Sequence, residues 1–149
     1  MTFQQSYPDL QINEYTLSAD KERLDLNYVY NLLCKPSRYS TGLPLERFPI
    51  VIKNSFCFGL FYQGQQIGFS RVITDQSEFA SLWDVFIDEP HRGKGLGKAM
   101  VKYVLDHPYL KAIFRWFLMT EDVHALYQKF GFKSEVYNPY IMMKVNSDT

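Results

Sequence analysis

Three glycines at every second position, set among basic residues, are the sharpest chemical feature of this chain: Arg92-Gly93-Lys94-Gly95-Leu96-Gly97-Lys98, preceded by Phe86-Ile87-Asp88-Glu89-Pro90-His91. The apolar residues up to Ile87 read as the end of a strand and those from Leu96 as a helix, so the glycines fill a strand-to-helix turn. Glycine lets backbone N–H groups crowd around an anion, and a helix start adds unpaired donors and a partial positive charge. Arg92, Lys94 and Lys98 add cationic side chains. The chemistry on offer is the binding of a phosphate or pyrophosphate. A plain turn with a charged rim is the competing explanation for any lone Gly-x-Gly.

Two nucleotide motifs fail on spacing. A Walker A loop has four residues between its first glycine and the Gly-Lys pair, then Ser or Thr; here Gly93 and Gly97-Lys98 are separated by three, and Ala99 follows. A Rossmann turn needs its last glycine three positions beyond the second, whereas Gly97 lies two beyond Gly95. The spacing that fits is Arg92-x-x-Gly95-x-Gly97, and the run LWDVFIDEPHRGKGLGKAMVKYVL resembles the acetyl-coenzyme A segment of the GNAT superfamily of N-acetyltransferases. A second segment, Ala125-Leu126-Tyr127-Gln128-Lys129-Phe130-Gly131-Phe132, is similar to that family's helix-to-strand step ending Leu-Tyr-x-x-x-Gly-Phe. The resemblance covers about Phe56 to Phe132 and is weak over the N-terminal helices and the tail.

That resemblance implies a site. The strands Trp83–Ile87 and Phe114–Met119 would splay, and a pantetheine arm would bond to main-chain groups of Val85, Phe86 and Ile87 as a missing strand would. The pyrophosphate would rest on Arg92, Gly93, Lys94, Gly95, Leu96, Gly97 and Lys98. At Thr120 many relatives place an Asn that contacts the cofactor; Thr keeps a hydroxyl there. Tyr127 stands where the family keeps a tyrosine that protonates the leaving sulfur, although Val123, Leu126, Tyr127 and Phe130 also share one helical face and suit simple packing.

The implied reaction is attack of an amine on a thioester, which requires a proton to leave the ammonium first. Asp84, in a strand between Trp83 and Val85, is the candidate base, acting directly or through water. Burial there would raise its pKa, and a solvated or salt-bridged carboxylate on the sheet face is the equal alternative. Some family members carry an acid at this position or at the one before it, which is Trp83 here. His124, one turn before Tyr127, reads as a hydrogen-bonded side chain near a helix start; His91 rims the glycine loop and His107 a helix end.

These groups need a scaffold. Leu10–Leu17 alternates as a first strand, and Leu26, Val29, Tyr30 and Leu33 mark one face of a helix over 19–33 that Asp20 or Ser18 would cap. A loop follows, then a short helix near 45–53 that Pro49 interrupts. Phe56–Tyr62 and Ile67–Thr74 flank a hairpin turn at 63–66, and Phe79–Ile87 is the next strand. A helix is predicted over 96–107, with Met100, Val101, Val104 and Leu105 facing inward, and a strand over 112–119. Thr120 would cap a helix to about Phe130 that exits at Gly131, and Ser134–Val145 would add one or two strands broken at Asn138-Pro139. The expected fold is one α/β (mixed α+β) domain over residues 1–149, GNAT-like, with a mostly antiparallel sheet splayed at the cofactor site and about four flanking helices.

Composition narrows the class. Sixteen basic and sixteen acidic residues give a formal net charge of zero, and without a basic field a nucleic-acid partner is not expected. The start, Met1-Thr2-Phe3-Gln4-Gln5-Ser6, lacks a basic segment followed by an apolar run, and no apolar stretch is long enough for a bilayer. Cys34 and Cys57 show no metal-ligand spacing, so two ordinary thiols in a cytoplasmic protein are expected, with no metal. The expected function is transfer of acetyl from acetyl-coenzyme A to a small-molecule amine by direct attack. Acceptor recognition would fall to Arg38, Tyr39 and Ser40 with the tail near Tyr137 and Tyr140. A non-catalytic acyl-coenzyme A sensor and a protein lysine or N-terminal acetyltransferase are the alternatives; Tyr127 with Asp84 favours the enzyme. Monomer and homodimer both stay open.

Overall fold

The computed structural model describes residues 7–37, 42–134, 142 and 144. The chain divides into two compact units, Met1–Met119 and Thr120–Thr149. The expected tail strands and the acceptor residues Arg38, Tyr39, Ser40, Tyr137 and Tyr140 lie outside the described residues, apart from the strand's first residue, Ser134, and the isolated Met142 and Lys144.

The first unit is built on six strands in spatial order of their sequence: β1 (Leu10–Ile12), β2 (Tyr15–Ser18), β3 (Phe56–Tyr62), β4 (Gln65–Thr74), β5 (Phe79–Ile87) and β6 (Arg115–Leu118). Neighbours pair antiparallel except β5 with β6, which run parallel. The sheet is therefore mixed and mostly antiparallel, as expected. The first predicted strand is instead a hairpin. Asn13 takes a positive φ of 53° and turns the chain between β1 and β2, a conformation that Asn tolerates better than most side chains. Between β3 and β4 the turn is tighter than predicted, with Gln63 and Gly64 both at positive φ (49° and 81°), as a two-residue hairpin requires.

The first predicted helix also divides. A short 3-10 turn, Lys21–Arg23, carries the Asp20 cap, and helix α1 (Leu26–Cys34) starts later under its own cap, Asp25, which accepts from the amides of Asn27 and Tyr28 (3.0 and 3.1 Å). Losing that cap costs about 1 kcal/mol in typical helices. The Asp25 amide donates to the buried side chain of Gln66, which in turn donates to Gly68 O, so the cap fastens α1 to β4. Val29 and Leu33 are buried with Leu24, Cys57 and Phe69, whereas Leu26, assigned to the same helical face from its spacing, is 54% exposed. Helix α2 (Phe48–Asn54) follows a 3-10 turn and takes Pro49 into its first turn, where a missing N–H costs nothing.

Helix α3 (Leu96–Leu105) covers the opposite face with Met100, Val101, Tyr103 and Val104, the Tyr103 ring meeting Phe58 edge-on at 6.0 Å. It ends two residues before His107, which is fully buried among Tyr7, Phe56 and Phe58. Burial pushes the imidazole pKa down to about 4, so it stays neutral, with Nδ1 accepting from the Tyr109 amide at 3.1 Å. Among the described residues no helix is long and apolar enough to cross a membrane.

In the second unit, helix α4 (His124–Gln128) is shorter than predicted. Val123 occupies its N-cap without a side-chain bond, and Thr120 instead accepts from the Val123 amide at 3.4 Å, one turn upstream. The exit at Gly131, with φ 89°, is as expected.

Candidate functional site

Two irregularities of β5 make the site. The first is the end of its pairing with β6: the register runs from Phe79 opposite Arg115 to Leu82 opposite Leu118 and stops. Beyond it, Trp83–Ile87 pair with no strand on that side among the described residues. This is the predicted splay.

The second is a bulge. Phe69 pairs with Phe86 and Arg71 with Trp83, so Ser70 alone on β4 faces Asp84 and Val85 on β5. Asp84 sits at φ 56°, a left-handed conformation in mid-strand that costs on the order of 1–3 kcal/mol and marks functional strand positions. The consequence is chemical. Arg71 shares the α1-facing side of the sheet with its partners Cys57 and Trp83. Strict alternation would send Asp84 to the other side, but the bulge delivers its carboxylate to Arg71, whose Nε donates to Asp84 Oδ2 at 2.6 Å. Arg71 Nη1 also donates to Ser55 Oγ at 3.3 Å, at the end of α2. Asp84 is thus the salt-bridged carboxylate of the alternative reading, on a half-buried face.

From Ile87 the chain enters a 3-10 turn, Glu89–His91, and then the glycine loop. Gly93 and Gly95 have φ of 78° and 76°, and a Cβ at either would meet nothing within 4 Å. The glycines therefore answer a backbone requirement and keep open space in front of the loop. Gly95 is the N-cap of α3 and has no side chain to offer. The amides of Leu96, Gly97 and Lys98 receive no side-chain cap, and the first intrahelical bond is Ala99 N to Gly95 O at 3.1 Å. Uncapped donors, the positive end of a ten-residue helix and a bare glycine cradle fit a pyrophosphate.

The basic side chains are distributed unequally. Arg92 bends back on β5, with Nε donating to Ile87 O at 2.7 Å and its guanidinium 5.2 Å from the Phe86 ring centroid. One of the main-chain groups expected to meet pantetheine is thus already engaged. Lys94 donates to Tyr15 Oη at 3.3 Å, and that hydroxyl lies 2.8 Å from His91 Nδ1. An ammonium only donates, so the Tyr15 proton is directed to His91. Lys98 is exposed. Tyr28, on α1, donates to Asp88 Oδ1 at 2.7 Å and fixes the start of the loop. Residue types in sequence carry no trace of Tyr15 or Tyr28 as loop supports. Arg71 did leave a signal, since a lone cation inside Ile67–Thr74 needs a counterion.

Tyr127 belongs to the second unit. It is 7% exposed, its ring meets Phe132 edge-on at 5.9 Å, and its carbonyl accepts from the amides of Phe130 and Phe132. Burial pushes the phenol pKa up, so the hydroxyl keeps its proton throughout the neutral range. The two cysteines are free; burial raises the pKa of both thiols, that of Cys57 to about 11. Neither is poised as a nucleophile. Among the described residues no group of three His, Cys, Asp or Glu could hold a metal.

A splayed mixed sheet with an uncapped glycine-loop helix defines a class, and comparison with known proteins agrees with it. The acetyltransferase (GNAT) domain model matches residues 53–134. The crystal structure of a putative GNAT-family acetyltransferase from Xanthomonas campestris pv. campestris superposes with a TM-score of 0.82 at 34% identity, covering 91% of this chain and 96% of that one. An uncharacterised N-acetyltransferase of Gracilaria tenuistipitata var. liui is 39% identical over 67 residues, 42% of this chain, and a spermine/spermidine N(1)-acetyltransferase of Bacillus subtilis is 36% identical over 87 residues, 50% of this chain. The matches span 37% and 57% of those two relatives' own length. This chain belongs to the GNAT acetyltransferase family.

Proposed function

We propose that the protein is an N-acetyltransferase that moves acetyl from acetyl-coenzyme A to the amine of a small molecule by direct attack. The observation that carries this reading is the continuity of β5 beyond the end of its β6 register, Trp83–Ile87, with the uncapped start of α3 through the Gly93–Gly95 turn. The β5 backbone around Val85, beyond the end of the β6 register, suits an amide-bearing arm, and the amides of Leu96 to Lys98 with Lys94 suit a pyrophosphate. Acetyl-coenzyme A would supply the activated acyl group as a thioester.

The protein's own groups then have three tasks. Asp84 accepts a proton from the acceptor ammonium, directly or through water. Tyr127 donates one to the departing sulfur, a role its protonated phenol suits. By the family resemblance, Thr120 would contribute its hydroxyl to the cofactor in place of an Asn. Direct attack is favoured over an acyl-cysteine because the buried Cys57 thiol stays protonated at neutral pH. A cytoplasmic setting suits the two free thiols, and zero net charge gives no reason to add a nucleic-acid partner. Calorimetric titration with acetyl-coenzyme A, paired with free-thiol release across amines, amino acids and polyamines, tests the reading. Tight binding with no thiol release for any acceptor would make the protein a sensor of acyl-coenzyme A.

A further inference from the structure

The charge around the bulge carries information about the acceptor. Arg71 stands opposite Cys57 in the sheet and pairs with Asp84 at the bulge, and a second cation, Lys21, lies near the same thiol. Lys21 Nζ is half-buried against the Lys53 carbonyl at 3.1 Å. Arg71 and Asp84 keep 15% and 22% of their side chains exposed, so neither is sealed and neither is freely solvated. The guanidinium uses Nε on Asp84 and Nη1 on Ser55, which leaves Nη2 as a donor without a partner among the described residues. Ile73, two residues along β4 on the same face, is 42% exposed, so the sheet is open beside the pair. Trp83 flanks it, its indole N–H fixed on Ser81 Oγ at 2.7 Å.

A polyamine would bring two or more cations to a place where Arg71 and Lys21 already stand and the Asp84 carboxylate is engaged by Arg71. An acceptor with an anionic group removes both difficulties. Resting on the acetyltransferase reading, we infer that the acceptor is a primary amine carrying a carboxylate, an amino acid in the simplest case, and that Arg71 is its carboxylate receptor. The planar guanidinium presents paired donors that match a carboxylate. Its transfer from Asp84 to the acceptor releases Asp84 at the moment the acceptor's ammonium arrives. The ammonium gives one proton to Asp84. The nitrogen then forms the C–N bond as the C–S bond breaks, and the amine loses its second proton as the thiolate gains one.

The test is a matched series: several α-amino acids, each with its carboxamide and its decarboxylated amine, plus spermidine, assayed by thiol release and compared per free amine. A charge-assisted bond of about 1.5–3 kcal/mol predicts kcat/KM higher for the acid than for its amide by about 10- to 150-fold. Arg71→Gln should erase the preference mainly through KM, and Arg71→Lys, which keeps the charge on Asp84, should restore part of it. Amides or spermidine turned over by the wild type as well as the acids would overturn the inference and leave the acetyltransferase intact. No thiol release from any amine, with acetyl-coenzyme A still bound, would overturn both.

Discussion

Replacing Gly95 by Ala separates two reasons for a glycine. At φ 76° an L side chain is strained by roughly 1–2 kcal/mol, and since an added Cβ meets no atom within 4 Å, strain is the whole cost to the free protein. Gly64, in the β3–β4 turn, has φ 81° and the same open surroundings, so Gly64→Ala is a control with equal strain and no cofactor role. For a domain of this size both variants should lose about 2–8 °C in melting temperature. Only Gly95→Ala places a methyl group where the pyrophosphate approaches the amides of α3. Loss of one charge-assisted hydrogen bond, about 1.5–3 kcal/mol, weakens acetyl-coenzyme A binding by about 10- to 150-fold. Calorimetry on both variants, below their melting ranges, gives the comparison. Equal affinities for Gly95→Ala, Gly64→Ala and wild type would refute the loop as the cofactor cradle.

Tyr127→Phe keeps the ring that meets Phe132 and deletes the hydroxyl, so turnover should fall by about 10²–10⁴-fold with little change in cofactor affinity, checked by single-turnover kinetics; an unchanged chemical step would return Tyr127 to packing. Asp84→Asn should lower turnover with partial recovery as pH rises and free amine accumulates, and should cost about 1–3 kcal/mol of stability because Arg71 loses its counterion. Wild-type rates near neutrality in that variant would remove Asp84 from the chemistry. For His107, the folded pKa of about 4 lies below the ordinary 6.5, so its stabilising contribution is complete above 6.5 and is lost as pH falls from there to about 4. That window amounts to roughly 3 kcal/mol, and urea midpoints across it should show a slope that His107→Leu flattens.

The glycine loop was legible because one continuous segment dictates it: the backbone needs Gly93 and Gly95 at positive φ, and helix periodicity begins immediately after. The splay and the mostly antiparallel order followed from resemblance; the end of the β5–β6 register agrees with the first and the antiparallel pairing of β1 through β5 with the second. The bulge at Asp84 was not legible, because the apolar residues on either side of it, Trp83 and Val85–Ile87, read as one continuing strand while the backbone changes hand between them. The β1–β2 hairpin was hidden for a related reason: Ile12 and Tyr15 are partners across a two-residue turn at Asn13 and Glu14 that leaves the alternation looking continuous. Contacts such as Tyr15 with His91, 76 residues apart, exist only once β2 and β3 are paired beside the loop. Local composition holds no record of them. The cap of α1 was misplaced because Asp20 and Asp25 are both good caps; the 3-10 turn at Lys21–Arg23 takes the first, leaving Asp25 for the helix.

Direct transfer of acetyl to an amine can be followed on the acyl group itself. Acetyl-coenzyme A labelled in the acetyl carbon is incubated with the protein, with and without a mixture of amino acids and amines, and protein and small molecules are weighed by mass spectrometry. Label is expected on an amine nitrogen in step with free thiol, with no labelled protein when acceptor is withheld. Label that accumulates on the protein, or that stays on coenzyme A in the presence of every amine, would contradict it.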